Sequence, residues 1–533
     1  MATAAPDRAG GAKAAPVAPP APHPGGAALP VKYKGLLTLG VMMATIMQIL
    51  DTTIANVAIP HMQSQLGATR DTINWVLTSY IVASAIAIPI TGWLSDRIGS
   101  RNLFLIATVG FVIASAMCGA ATSLEEMVAF RILQGITAAF LNPLSQTVML
   151  DINKPEDQPK AMAIWGMGIM IAPIMGPLIG GYLTDNFDWR WVFYVNLPVG
   201  VVTFALLWFL LPSKPIRKRP FDVLGFSLLS IGIASLQLML DRGQEQDWFS
   251  STEVWIEMLA AVIALWMFTI HLFTAKNPMF ERALWGYPNL LTGIFFMLVI
   301  GLVMMATMAL LPPMLQTLYG YSVFDAGLLL MPRGVGVLMT MMIGSQMIAR
   351  GWLDPRWSVG IGLAIAAGSL WEMSQWTLVM GSTPFIISGF VQGLGLGLVF
   401  MPLNGLAFAG LPPHYRTEAA SLLNLMRSVG ASVGISLVTA MLARSIQTSH
   451  QYLGEHVTSG TLNGVDTITQ ALGVNGTAVI AMIDAEVNRQ AAMIAYLNDY
   501  WAMAIVTAIS VPLVLLLRNP KGKVENDPAA AGH

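Results

Sequence analysis

Long apolar runs separated by short polar segments dominate the chain. A helix crosses a bilayer with roughly 20 mostly apolar residues. Such runs fall near 36–60, 73–94, 103–121, 127–149, 161–183, 191–211, 222–240, 254–274, 287–312, 325–349, 357–377, 384–408, 417–444 and 497–517. They predict an all-α membrane protein with fourteen transmembrane helices. Two runs strain the pattern: 161–183 is rich in Gly and Pro, and 357–377 contains Glu372. Two polar segments stand out between runs. One is the acidic stretch 241–253. The other extends from about 445 to 498, and its part 478–496 has the pattern of an amphipathic helix.

The runs group as six, two and six. Residues 1–34 read as a tail too rich in Ala, Pro and Gly to fold. Residues 35–211 form a first six-helix bundle, and 212–285 a linker with two extra spans. Residues 286–517 form a second six-helix bundle with an outer loop at 445–496, and 518–533 a short tail. Two six-span sets suggest a transporter built from repeats, whose site lies at their interface near the midplane. With the N-terminus in the cytoplasm, Lys and Arg favour the inner segments over the outer ones by about four to one; that bias puts both termini inside.

Composition agrees. Hydrophobic residues make up 55% of the chain and charged ones 11%, against about 25% charged in soluble domains. The net charge of −1 gives no electrostatic footprint for nucleic acid. Cys118 is the single cysteine, so neither an intrachain disulfide nor a cysteine metal site is expected. The chain contains no G-x-x-x-x-G-K-S/T loop and no H-E-x-x-H. No ATP-driven engine is therefore visible in the chain, and neither enzymatic chemistry nor a cofactor is expected.

Ionisable residues inside spans mark candidate sites, because burying a charge in a bilayer is costly. Asp51, in the first run, is the first candidate for a carboxyl that loads and releases a proton. Arg131 and Glu372 are further coupling candidates: Arg131 stays charged and can tune a nearby acid. Arg131 could instead snorkel to water, and Asp51 could be a structural acid paired to a fixed arginine. Arg333 and Arg427 could pair with Glu372 or Asp325, or bind anionic cargo. With Asn56, Asn142, Gln146, Gln392 and Asn404, they are the candidates for contacting cargo. The methionines at 304, 305, 308, 339, 341 and 342 suit either a pliable pocket or ordinary packing against lipid and protein.

Between the second and third runs lies Gly92-Trp-Leu-Ser-Asp-Arg-Ile-Gly-Ser-Arg101. Gly92 and Gly99 permit a sharp turn, Asp96 could lie against a helix N-terminus, and Arg97 and Arg101 could pair with acids such as Asp151. Such a cluster would act as a conformational switch on the inner side. The fifth run holds Ala172-Pro-Ile-Met-Gly-Pro-Leu-Ile-Gly-Gly181. There Pro173 and Pro177 remove backbone donors, and Gly176, Gly180 and Gly181 allow close helix approach.

The first of these segments resembles the G-x-x-x-D-R-x-G-R-R/K signature of the major facilitator superfamily, with Ser100 at one of the paired basic positions. The second resembles that superfamily's antiporter motif. Phe130-Arg-Ile-Leu-Gln-Gly135 resembles its R-x-x-Q-G motif. Leu50-Asp-Thr-Thr-Ile-Ala-Asn-Val-Ala-Ile-Pro60 resembles the first-span motif of its EmrB/QacA-type fourteen-span drug:proton antiporters. Residues 231–243, 247–251, 401–403 and 410–413 are similar to the EmrB branch in particular. The resemblance implies multidrug efflux by drug:proton antiport across a bacterial inner membrane. It also implies hydrophobic drugs and protons as partners, an EmrA-type periplasmic adaptor and a TolC-type outer-membrane channel. A dedicated exporter of one anionic compound, such as a fatty acid or siderophore, is the alternative. The antiporter motif argues against a membrane enzyme or scaffold.

Overall fold

A computed structural model of the chain describes residues 29–217, 219–456 and 476–518. Most of the expected N-terminal tail, the centre of the 445–496 segment and nearly all of the C-terminal tail lie outside the described residues.

Fourteen long helices are present among the described residues. They are α1 (Lys34–Gln65), α2 (Trp75–Ile98), α3 (Ser100–Ala120), α4 (Leu124–Asp151), α5 (Gln158–Asn186), α6 (Trp191–Leu210) and α7 (Val223–Arg242). Then come α8 (Thr252–Thr274), α9 (Pro288–Tyr319), α10 (Val323–Ala349), α11 (Pro355–Met373), α12 (Thr383–Phe408), α13 (Arg416–Glu455) and α14 (Gly476–Ser510). Thirteen are long and apolar enough to cross a membrane; α11 is the exception. Glycine- and proline-rich α5 is one continuous helix.

Local chemistry sets the ends. Ser123, Asp222, Ser251, Ser322 and Asp354 cap α4, α7, α8, α10 and α11 through their side chains, satisfying orphan N–H groups. Gly99, at φ +89°, makes the turn from α2 to α3, a conformation costly for other residues. Large apolar side chains cover the outside: Phe209 is 81% and Trp266 68% exposed, as suits a lipid-facing surface.

Two boundaries depart from the hydropathy pattern. α13 runs to Glu455 and α14 starts at Gly476, so 478–496 is the first part of α14 rather than a separate amphipathic helix. At 1.5 Å per residue these helices of 40 and 35 residues span about 60 and 52 Å, against a hydrocarbon core of about 30 Å. Their extensions pair with each other through Asn498–Ser445 (3.0 Å) and His450–Asp484 (3.3 Å). Hydropathy reports only lipid-embedded length, whereas a polar helix continues into water.

The two six-helix sets repeat one packing scheme. α1–α5, α2–α4, α3–α4, α1–α6 and α3–α6 contacts in the first recur as α9–α13, α10–α12, α11–α12, α9–α14 and α11–α14 in the second. The sets meet through α5 against α10 and α12, and through α2 and α4 against α13. The extra pair α7–α8 leans on α2 and α13 through α7. The end of the bundle that carries the 212–222 linker is called the linker end below, and the opposite end the far end.

Candidate functional site

Asp51 lies in the far half of α1 and is 1% exposed. Every side chain bonded to it is a donor. Arg131 Nη1 reaches Oδ2 at 2.7 Å, and the amides of Gln134 and Asn196 donate to Oδ1 at 2.8 Å each. Such a set complements an acceptor-only carboxylate. Arg131 is fully buried and so does not snorkel to water. Its Nε donates to Val76 O at 2.9 Å, its guanidinium lies 4.2 Å from the Tyr80 ring centroid, and Nη1 also reaches Gln134 Oε1 at 2.8 Å. Gly135 lets α4 approach this closely, because a Cβ there would stand 2.5 Å from Tyr80 O. Asn196 also donates to Ser115 Oγ at 3.0 Å. Five helices of the first bundle, α1, α2, α3, α4 and α6, thus converge on one ion pair.

Two residues from Asp51, Thr53 faces α5. A Cβ on Gly176 would stand 2.0 Å from Thr53 Oγ1, and one on Gly180 3.3 Å from Ile54 and Val57. The antiporter-like segment is therefore the seam that lets α5 lie directly on α1. Gly181 takes no part in it: nothing lies within 4 Å of its would-be Cβ, because it points off the α1 face.

Between the bundles, Gln146 donates to Asn404 Oδ1 at 2.6 Å and accepts from Asn424 at 2.9 Å. Arg427 donates to Asn424 Oδ1 at 3.2 Å. One turn along α4, Asn142 donates to Gln48 at 2.6 Å, which in turn bonds Tyr80 at 3.2 Å. Gln146, Asn404 and Arg427 thus meet at the interface, with Asn424 joining them. Gln392 stays within the second bundle, donating to Thr307 at 3.4 Å, and Asn56 is exposed on α1.

A narrow cavity opens between α5, α9, α10 and α12, lined among others by Met170, Met304, Met305, Met308 and Arg333. Arg333 is 3% exposed and both of its terminal nitrogens lack a partner. Of the methionines singled out in the sequence, 304, 305 and 308 line this cavity, 341 is buried, and 339 and 342 face outward. Neither expected acid meets an arginine. Asp325 bonds Ser322, the N-cap of α10 three residues before it. Glu372 bonds Ser388 and Trp376 and is exposed in the last turn of α11. The Asp354 cap and Pro355 start that helix early, so it ends at Met373, and Glu372 lies at the membrane edge instead of deep in a span.

At the linker end, two ion clusters bridge the bundles. Asp151, fully buried at the end of α4, pairs with Lys214 of the linker and with Arg416 of α13 at 2.9 Å. Arg219 of the linker pairs with Asp96 at 3.4 Å, with Glu281 at 3.5 Å and with Glu418 of α13. Gly92 gives Glu418 its place, since a Cβ there would stand 2.5 Å from Glu418 Cγ. Arg97 and Arg101 do not reach Asp151. Arg97 lies over Trp93, and Arg101 donates to Trp208 O at 2.6 Å, both being carried to the outer surface by the Gly99 turn.

The family model described as Major Facilitator Superfamily matches residues 41–435. The chain belongs to the major facilitator superfamily. Within it, the multidrug export protein EmrB of Haemophilus influenzae is 37% identical over 481 residues, covering 88% of this chain and 93% of that protein. EmrB of Escherichia coli K12 is 36% identical, covering 91% and 96%. The fatty acid resistance protein FarB of Neisseria gonorrhoeae is 34% identical over the same shares. The resemblance to the EmrB branch is thereby borne out. Two solved structures share the fold. The human organic anion transporter MFSD10 has a TM-score of 0.57 at 14% identity, covering 91% of this chain and 99% of that one. The proton:xylose symporter XylE has 0.56 at 16%, covering 90% and 95%. This facilitator is accordingly a multi-pass membrane transporter with bacterial relatives, and its family is one of transporters rather than enzymes.

Sequence reasoning brought Asp51 and Arg131 to notice but not what holds them. Gln134 was legible within Arg131-Ile-Leu-Gln-Gly135, and Asn196 as a polar residue opening an apolar run. The partners of this facilitator's linker, Glu281, Arg416 and Glu418, carried no signal beyond charge at span ends.

Proposed function

We propose that this facilitator exports hydrophobic compounds across a bacterial inner membrane in exchange for protons, with Asp51 as the proton-carrying carboxyl and Arg131 setting its affinity. The observation that carries this reading is the fully buried Asp51–Arg131 pair, completed by Gln134 and Asn196. Protonation neutralises the acid and weakens its hold on α4 and α6. α1 is then free to shift, and the Thr53–Gly176 seam passes the shift to α5, which packs on α10 of the other bundle. Both termini lie in the cytoplasm in this reading, so the far end faces the periplasm and delivers the proton. The drive is about 2.3 kcal/mol per charge at 100 mV, plus about 1.4 kcal/mol per pH unit. The family likeness supports an EmrA-type adaptor and a TolC-type channel as partners; co-purification of a tagged chain with them tests that part.

Asp51→Asn, which keeps the shape and removes the titration, abolishes proton-coupled dye efflux in everted vesicles while membrane insertion is unchanged. Wild-type, protonophore-sensitive efflux by that variant refutes the assignment.

A second reading, export of an anionic amphiphile, is favoured by one observation: Arg333 presents a buried guanidinium without a carboxylate partner to the methionine-lined cavity. FarB is a relative named for fatty acid resistance. Arg333→Gln then lowers export of a long-chain fatty acid at least tenfold and leaves that of a lipophilic cation unchanged. Equal effects on both dismiss anion selection.

A further inference from the structure

One buried carboxyl has no use in the reading above. Asp499 on α14 has no solvent exposure, and neither of its oxygens has a hydrogen-bond partner among the described residues. Asp51, equally buried, is held by a cation and two amides. Its helix neighbours Tyr496 and Tyr500 belong, with Met493 and Trp376, to the aromatic and apolar core of the second bundle. The Trp376 and Tyr500 rings stand edge to face with centroids 5.7 Å apart, and the Tyr500 hydroxyl is itself unpartnered. The titratable groups around it are few. On α14 itself they are Tyr496 and Tyr500, both within reach of its field. Arg333 of α10 and Tyr319 of α9 act on Tyr500. From α11, Glu372 is bonded to Trp376. From α13, Val438 and Leu442 join the same apolar core, and Ser445 accepts from Asn498.

An ionised carboxylate is an acceptor with no donor of its own, and one that is buried with no donor bonded to it and no cation paired to it is poorly held. A protonated carboxyl is neutral and fits. Water is close at hand, because the preceding residue, Asn498, is exposed. A modest rotation of α14 hydrates Asp499.

We propose that Asp499 is a second proton-binding carboxyl, in the other bundle from Asp51, that holds its proton in this conformation and releases it when α14 turns toward water. Its part in transport rests on the proton-coupled reading above; its protonation does not.

Infrared difference spectroscopy of the full-length protein in lipid nanodiscs at neutral pH tests the proposal. The wild type shows a carbonyl band of a buried protonated carboxyl that shifts down in D2O. The band is lost in Asp499→Asn, displaced in Asp499→Glu and kept in Asp51→Asn. An unchanged carboxyl region in Asp499→Asn overturns the proposal. If that variant fails to insert, absence of any such band from the wild type, or an unmoved band in Asp499→Glu, does the same. In proteoliposomes loaded with ethidium, Asp499→Asn moves the pH midpoint of dye efflux by one unit or more; an unmoved midpoint removes Asp499 from the coupling. Wild-type coupling in Asp51→Asn sinks the assignment of Asp51 alone and leaves the infrared result standing.

Discussion

Replacing Arg219 with Gln removes the charge on which three acids of the linker end depend. The side chains of Asp96 and Glu281 are 22% and 34% exposed, so water takes over much of their solvation; such part-exposed pairs contribute about 0–1 kcal/mol each. Glu418 is different, with its side chain only 5% exposed. Leaving a buried acid without its cation costs about 3–5 kcal/mol. The backbone N–H of Glu281 still donates to Glu418 at 3.2 Å, which favours the lower figure. A loss of about 3 kcal/mol from the conformation in which the linker end is closed shifts the balance of states on the order of a hundredfold. The assay is double electron–electron resonance with spin labels at Lys154→Cys and Arg350→Cys, one exposed site on each bundle. Cys118→Ser removes the single native cysteine. The wild type gives mainly the short distance, and Arg219→Gln moves the main population to a longer one. Removing the stranded acid as well, in Arg219→Gln with Glu418→Gln, restores most of the short population, a coupling of about 2 kcal/mol. If Arg219→Gln leaves the distance distribution and the transport rate within twofold of wild type, the linker is a tether and not a latch.

Other expectations follow from the same contacts. Gly176→Val drives a branched side chain into Thr53 and lowers the stability of the detergent-solubilised protein by about 1–3 kcal/mol or more, read as a lower melting temperature, and Thr53→Ala partly restores it. Gln146→Leu breaks both bonds from α4 to Asn404 and Asn424 and strands those amides at about 1–3 kcal/mol; efflux falls severalfold, whereas Asn56→Ala on the exposed face of α1 leaves it unchanged. Glu372→Gln retains proton-coupled efflux within twofold, since that acid is exposed at a helix end. Cys118, fully buried, resists a membrane-permeant maleimide in the native protein and reacts once heat unfolds it, so fast native labelling contradicts the packing of α3.

Hydropathy alone determined that the chain is a bundle of fourteen long helices, thirteen of them apolar enough to cross a membrane. The sequence also exposed Asp51 and Arg131, because a charge within an apolar run is costly wherever the run ends up. The small residues of 172–181 were legible as a packing seam, but that Gly176 and Gly180 serve it and Gly181 does not depends on which face of α5 meets α1. Pairing was out of reach. Asp151 and Arg101 carry complementary charges, and only the Gly99 turn, the course of the linker and the start of α13 decide that Asp151 goes to Lys214 and Arg416. Glu372 and Asp499 show the same limit in opposite directions. Each lies within a few residues of a span end, where composition cannot say which side of the lipid boundary a side chain takes. Helix length and bundle packing left the first exposed at a helix end and buried the second. Sequence composition sets how much of a helix can face lipid; which polar groups find one another inside is a property of the packed bundle, since it joins residues hundreds of positions apart.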